Sequence, residues 1–168
     1  MIELANIKKL AQAGTLIALG VVCSSLSIPL GLAKVYPIQH FINVLAGVTL
    51  GPAYAVSMAF ITSLIRVTIG TGTILAFPGS MCGAFLSGLL YKYTKKIPAA
   101  FLGELFGTGI IGALLAYPMA TLIMSKKAAL FGFVIPFGLS SFAGATISLL
   151  LIVTFNRIKI FNNESQDA

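Results

Sequence analysis

Residues 97–125 read IPAAFLGELFGTGIIGALLAYPMATLIMS, and Glu104 is the one charged residue among them. The hydrocarbon core of a bilayer takes about 20 apolar residues in helical form, so this stretch is long enough to cross one. Lys95 and Lys96 stand before it, and Lys126 and Lys127 after it. Those are the places where a membrane span carries its cations.

The same pattern repeats outward in both directions. Stretches 10–33, 35–65, 67–91 and 128–156 carry no charge, and Lys34, Arg66 and the lysine clusters separate them. Hydrophobic residues make up 58% of the chain and charged residues 9%, with a mean hydropathy of +1.01. A soluble domain carries about a quarter charged residues, so this chain has too little charge to cover a solvated surface. The expectation is an all-α integral membrane protein, a bundle of six transmembrane helices in one domain. Gly51-Pro52 divides the long second stretch, because proline removes a backbone donor and disfavours helix in the residue before it. The spans expected are 10–30, 39–50, 53–69, 79–92, 98–124 and 130–156. They give a short N-terminus over 1–9, a helical domain over 10–157 and a polar tail over 158–168. The first run continues to about Leu30 without a small-x-small cleavage site, so it is expected as a retained span rather than a signal peptide.

The net charge of +7 raises the question of nucleic acid. The cations mark span ends in ones, twos and threes and form no basic stripe with interleaved aromatics, so positive-inside anchoring accounts for them. Six spans put both termini on one side of the cell membrane. With the termini cytoplasmic, Lys8, Lys9, Lys92, Lys95, Lys96, Arg157 and Lys159 lie inside, seven of the 11 cations, against Lys34, Arg66, Lys126 and Lys127.

Catalytic motifs are missing. No Gly-Lys-Ser/Thr marks a P-loop and no H-E-x-x-H a metalloprotease. One histidine, two cysteines and four carboxylates make no metal site, and no cofactor is expected. Gly107-Thr108-Gly109-Ile110-Ile111-Gly112 matches the dinucleotide pattern by letter, but that motif needs a strand before it. Within a span, Gly103 and Gly107 instead form a small-xxx-small pair that lets helices approach closely.

Three groups of residues remain as candidates. On the first span, Ala11, Gly14, Thr15 and Ala18 fall within about 100° of one another, and such a stripe serves either packing inside the bundle or docking of a partner helix. Around the first loop, Gln39 and Asn43 are i,i+4 and His40 and Asn43 i,i+3, so they share a face. That face should turn inward, with the Tyr36 ring and the Lys34 charge nearby, since lipid does not solvate amides. Arg66 and Glu104 are the charges placed within the apolar spans, and each calls for a partner. At 1.5 Å per residue their depths differ by about 10 Å. Direct pairing is therefore not expected, and Glu104 should lie toward the cytoplasmic half, away from the first loop.

The stretches 33–44, 64–73, 76–81 and 103–112, which contain Tyr36-Pro37-Ile38-Gln39-His40, Gly70-Thr71-Gly72-Thr73, Phe77-Pro78-Gly79 and the Gly107 pattern, resemble the ThiW family. That family comprises substrate-binding (S) components of energy-coupling factor (ECF) transporters, assigned to the thiazole precursor of thiamin. The resemblance implies a six-helix vitamin-uptake subunit that is not an enzyme. Its partners would be a transmembrane coupling subunit and two cytoplasmic ATPases, with delivery by toppling in the membrane. S components commonly carry Ala-x-x-x-Ala on the first helix, whereas Ala11/Thr15 and Gly14/Ala18 stand here. The implied ligand, hydroxyethylthiazole, has about nine heavy atoms, enough for nanomolar binding at about 1.5 kcal/mol per atom. Tyr36, Gln39, His40, Asn43, Arg66, Thr71, Thr73 and Glu104 are the candidate ligand residues. Competing readings are an S component for another vitamin-like ligand, an intramembrane enzyme using Glu104, His40 or Arg66, and a solitary carrier. The topology is directly testable: reporter fusions at Lys127 and Ala168 should give opposite signals, and identical signals would mean a miscounted span.

Overall fold

The computed structural model describes residues 2–30 and 33–164, with side chains for 6–29 and 34–156. Six helices account for most of it. Helix α1 spans Ile2–Val22, α2 Pro37–Thr49, α3 Pro52–Thr68, α4 Ala76–Thr94, α5 Ile97–Ile123 and α6 Val134–Glu164. Three segments are long and apolar enough to cross a membrane: Asn6–Ser25, Ile97–Ile123 and Val134–Asn156. Pro52–Thr68 is a shorter apolar helix. This is an all-α membrane protein.

Gly and Pro punctuate the helices as the sequence implied. Pro37 and Pro52 open α2 and α3 at their first positions, where a missing N–H costs nothing. Gly51 between them has φ 92°, a backbone that a β-carbon would strain. Lys95 ends α4 in the left-handed region at φ 57°.

The first loop departs from expectation. Instead of a helix to residue 30, α1 ends at Val22, a 3-10 turn covers Cys23–Ser25, and a two-stranded hairpin follows. Strands β1 (Ile28–Leu30) and β2 (Ala33–Val35) pair antiparallel, with Ile28 opposite Val35. Pro29 disfavours helix at Ile28, and Ser24, Ser25 and Ser27 offer the backbone local alternatives to the helical ladder. Gly31, just past the expected end of that span, lies outside the described residues. The helix also begins earlier than residue 10: Lys and Glu are good helix formers, so the charged N-terminal residues continue it. At the other end α6 runs to Glu164, past the boundary placed at 157, and residues 165–168 lie outside the described residues.

Helix α5 is not uniformly α-helical. Gly107–Gly112 and Met119–Ile123 are π-helical turns. The second directly follows Pro118, which cannot donate to the ladder. The first is rich in glycine, and π turns inside α-helices often mark functional sites.

Helix α2 is the shortest of the six and packs against all the others. Close approach makes that possible. A β-carbon on Gly47 would lie 2.8 Å from the Gly88 backbone of α4, and one on Gly88 would lie 2.7 Å from Pro52 of α3. Between α4 and α5, β-carbons on Gly103 and Gly107 would come within 2.5 Å of the Leu86 and Cys82 carbonyls. The dinucleotide-like letters are thus a helix-packing surface. Lower down, Val44, Ala100 and Ala145 join α2, α5 and α6 in one apolar cluster.

Helix α2 also begins deep in the molecule. A β-carbon on Gly144 of α6 would strike the Pro37 carbonyl, and Gly144 lies about 15 Å of helix below the start of α6. The space above Pro37 is left to side chains from the surrounding helices. Gly103→Val should destabilise the fold by about 1–3 kcal/mol through overpacking, whereas Gly14→Val should be neutral, because no atom lies within 4 Å of a β-carbon there. Thermal melts in detergent test the pair, and equal melting temperatures would contradict the packing assigned to α4 and α5.

Candidate functional site

A cavity of about 240 Å³ occupies the space above α2, at the end of the bundle away from both chain termini. Its floor is Gln39 and His40 of α2, Ser80 of α4 and Thr108 of α5. Its walls include Tyr36, Arg66, the 70–73 loop and Phe137, and its rim carries Lys34, Met124 and Lys126. The volume lies below the range of about 300–1,000 Å³ typical of drug-sized ligands, so an occupant would be small.

A buried hydrogen-bond network lies beneath. Glu104, fully buried on α5, takes three donors on one oxygen. His40 Nδ1 lies 2.7 Å from Oε1, Asn43 Nδ2 3.1 Å and Thr108 Oγ1 3.0 Å. Asn43 Nδ2 also reaches the Ser80 carbonyl at 3.1 Å, and the Thr108 hydroxyl is 3.0 Å from the Gly79 carbonyl. From Asn43 the chain of bonds continues upward: Gln39 Nε2 donates to Asn43 Oδ1, and Arg66 Nη1 donates to Gln39 Oε1 at 3.0 Å. Two amides therefore connect the guanidinium and the carboxylate, and their orientations follow from the donors and acceptors at either end.

The depth reading for Glu104 needs correction at one point. Its position about 10 Å of helix beyond Ile97 holds, but it is not remote from the first loop. The recessed start of α2 brings His40 and Asn43 down to its level. Arg66 and Glu104 make no direct pair, as their different depths implied.

Arg66 is 1% exposed. Its guanidinium carbon stacks 4.1 Å from the centre of the Tyr36 ring, and its Nε and Nη2 have no hydrogen-bond partner. Tyr36 is held in turn: its hydroxyl donates to the Thr71 carbonyl at 3.0 Å, its amide to Ser140 Oγ at 3.2 Å, and Ser24 Oγ meets Thr71 Oγ1 at 2.9 Å. The hairpin thus feeds Tyr36 into the wall between α3 and α6.

Of the candidate residues, Tyr36, Gln39, His40, Arg66, Thr71 and Thr73 line the cavity, while Asn43 and Glu104 sit behind its floor. Ser80, Thr108, Phe137, Ser140, Lys34 and Lys126 were not singled out as ligand residues. Thr108 had one signal, its i,i+4 spacing from Glu104. Lys34 had been placed beside the first-loop cluster as a nearby charge, and Lys126 had been read only as a topological mark. His40 and Glu104 do form a carboxylate–imidazole pair, which no sequence motif announced. It is not a triad arrangement, because Thr108 approaches the same ring nitrogen as Glu104, at 3.5 Å, and Nε2 has no hydroxyl partner among the described residues.

At the other end of the chain's chemistry, Ala11, Gly14, Thr15 and Ala18 are all exposed on α1, which buries Ala13 and Gly20 instead. Packing inside the bundle is therefore not the use of that stripe.

A family model described as "Thiamine-precursor transporter protein (ThiW)" matches residues 10–158. No curated protein and no solved structure matches the chain.

Asn43→Ala and Glu104→Gln should both weaken ligand binding, by about 1–3 kcal/mol for each buried partner left unpaired. Glu104→Gln belongs with Asn43→Ala although it lies behind the floor, because its carboxylate is 2.7 Å from His40 Nδ1. Titration calorimetry in detergent, with folding checked by melts, measures both. A silent Glu104→Gln would mean that the floor of the cavity does not need its charge.

Proposed function

The chain belongs to the ThiW family of thiamine-precursor transporters, and we propose that it is the substrate-binding S component of an ATP-driven ECF importer for the thiazole moiety of thiamin. The observation that carries this reading is the cavity: small, walled by Tyr36 and Phe137, and floored by amide, imidazole and hydroxyl groups held rigid from below. A heteroaromatic ring with a short polar arm calls for flat apolar surfaces and a few fixed polar partners. His40 presents a ring nitrogen to the floor with its other nitrogen occupied by Glu104, and Ser80 and Thr108 add hydroxyls.

In this reading all six helices cross the cell membrane, both termini are cytoplasmic, and the cavity opens to the outside. The exposed small-residue stripe on α1 supports coupling. Flat, close contact between helices in lipid needs small side chains, and Ala11, Gly14, Thr15 and Ala18 offer it on a helix face that the bundle leaves uncovered. A transmembrane coupling subunit would sit there, with its two ATPases beneath.

The His40–Glu104 pair is the one observation that favours an intramembrane enzyme. A nucleophile on the free side of the imidazole would be needed, and the described residues place none there. Recovery of a bound thiazole compound chemically unchanged, by native mass spectrometry, would speak for binding. Turnover would speak for the enzyme. Uptake by vesicles containing the purified chain alone, without ATP, would establish a solitary carrier instead.

Gly14→Trp or Ala18→Trp should abolish ATP-driven uptake when the chain is co-expressed with coupling subunit and ATPases, and leave ligand affinity within about threefold, since neither residue lies near the cavity and a helix interface tolerates little bulk. Loss of binding together with uptake would place the stripe's role inside the fold.

A further inference from the structure

Charge along the cavity is one-sided. Arg66, Lys34 and Lys126 line it, and no carboxylate does. Of the four acidic residues in the chain, Glu104 lies behind the floor, with Oε1 engaged by His40, Asn43 and Thr108 and Oε2 buried without a partner. Glu3 and Glu164 belong to the far ends of α1 and α6, about 30 Å or more of helix away, and Asp167 is outside the described residues. Arg66 itself is the buried member of the set, and two of its nitrogens have no partner. Gln39 Oε1, the Tyr36 ring and the carbonyl end of α3 offset part of its charge. A helix terminus supplies about half a charge at most, too little to balance three cations.

Other features converge on the same wall. Leu75, Ala76 and Gly79, from the N-terminal end of α4, line the cavity. No side chain caps that helix, but its first N–H groups are taken, Ala76 and Phe77 donating to the Thr73 and Ile74 carbonyls and Pro78 having none, so it offers the space the positive end of its dipole and no free donor. Thr73, on the rim, has a hydroxyl with no partner among the described residues.

We propose that the ligand carries an anionic oxygen group, a phosphomonoester, bound between Arg66, the start of α4 and the two rim lysines. This rests on the cavity being the thiazole site and specifies the form of the compound taken up. The ring would occupy the His40 and Phe137 side, and the acid the Arg66 side. Arg66 is the one buried cation of the three, Lys34 and Lys126 being exposed on the rim, and three cations around one space suit a phosphomonoester of about −1.5 to −2 better than a singly charged carboxylate. Direct contact with Nε and Nη2 requires the Tyr36 ring to slide aside from the guanidinium it covers.

The test is calorimetry on the full-length chain in nanodiscs at low ionic strength. The probes are hydroxyethylthiazole, its phosphate monoester, the corresponding thiazole carboxylate and inorganic phosphate. The monoester should bind at least about tenfold more tightly than the alcohol, the scale of one charge-assisted hydrogen bond. Arg66→Gln should erase that preference, read as the ratio of monoester to alcohol affinity within the variant, because losing the Gln39 contact weakens both compounds alike. Should Arg66→Gln fail to fold, Lys34→Gln combined with Lys126→Gln should reduce both the preference and its salt dependence. Equal or tighter binding of the alcohol overturns this inference alone, as does a preference that survives both sets of substitutions. A preference for the carboxylate overturns the choice of phosphate. Inorganic phosphate bound without any thiazole compound upholds the anion site and overturns the thiazole reading. Binding of none of the four overturns both.

Discussion

Three donors from two helices meet on one oxygen of a carboxylate that water cannot reach. In an aqueous protein a glutamate can be solvated wherever it falls. Within an apolar bundle it must be satisfied by the chain or not at all, because an ionised group without partners is very costly in a low dielectric. Glu104 Oε1 receives His40 and Asn43 from α2 and Thr108 from its own helix. Asn43 holds the Ser80 carbonyl of α4 with its second N–H, the Gly79 carbonyl competes with Glu104 for the single hydroxyl proton of Thr108, and Gln39 passes the connection on to Arg66 of α3. Four helices are therefore registered against one another by a single polar centre. The apolar contacts around it are numerous but permissive, since alanine and valine slide past one another with little penalty. The hydrogen bonds are directional and fix depth and rotation together.

That centre makes demands on the helices. His40 and Asn43 reach Glu104 only if α2 begins well below the outer ends of its neighbours and lies close to all of them. Gly47, Gly88, Gly103 and Gly107 provide the closeness, each at a place where a β-carbon would meet backbone. The shortness of α2 provides the depth. The same shortness opens the cavity, because the long helices α5 and α6 continue outward past a helix that has already ended. Packing and binding site are in this sense one feature. The hairpin then closes the gap between α1 and α2, and sets Tyr36 against Arg66.

The cavity and the small-residue stripe of α1 are kept apart along the molecule. Polar and charged side chains concentrate at the outer end and the centre, while the uncovered small residues of α1 stand on the lipid-facing periphery. The cavity wall can therefore change in sequence and leave the α1 face untouched.

Much of this was legible in the residues alone. Uncharged runs bounded by lysines located the helices to within a few residues in most cases, because lipid imposes length and apolarity on each span independently of the others. Gly51-Pro52 marked the α2–α3 turn for an equally local reason, and the i,i+4 spacing of Gln39 and Asn43 was enough to place them on one inward face. The hairpin over 28–35 was missed, since three-residue strands leave no periodicity to read and their apolar residues look like the tail of a span. Nor did the sequence reveal that His40 meets Glu104, that Lys34 and Lys126 stand over the same cavity as Arg66, or that α1 turns its small residues outward. Each of those depends on how far one helix is displaced along another. Translation between helices is set by which buried polar groups must find each other and by where glycines let backbones touch, and both are properties of the assembled bundle rather than of any one stretch.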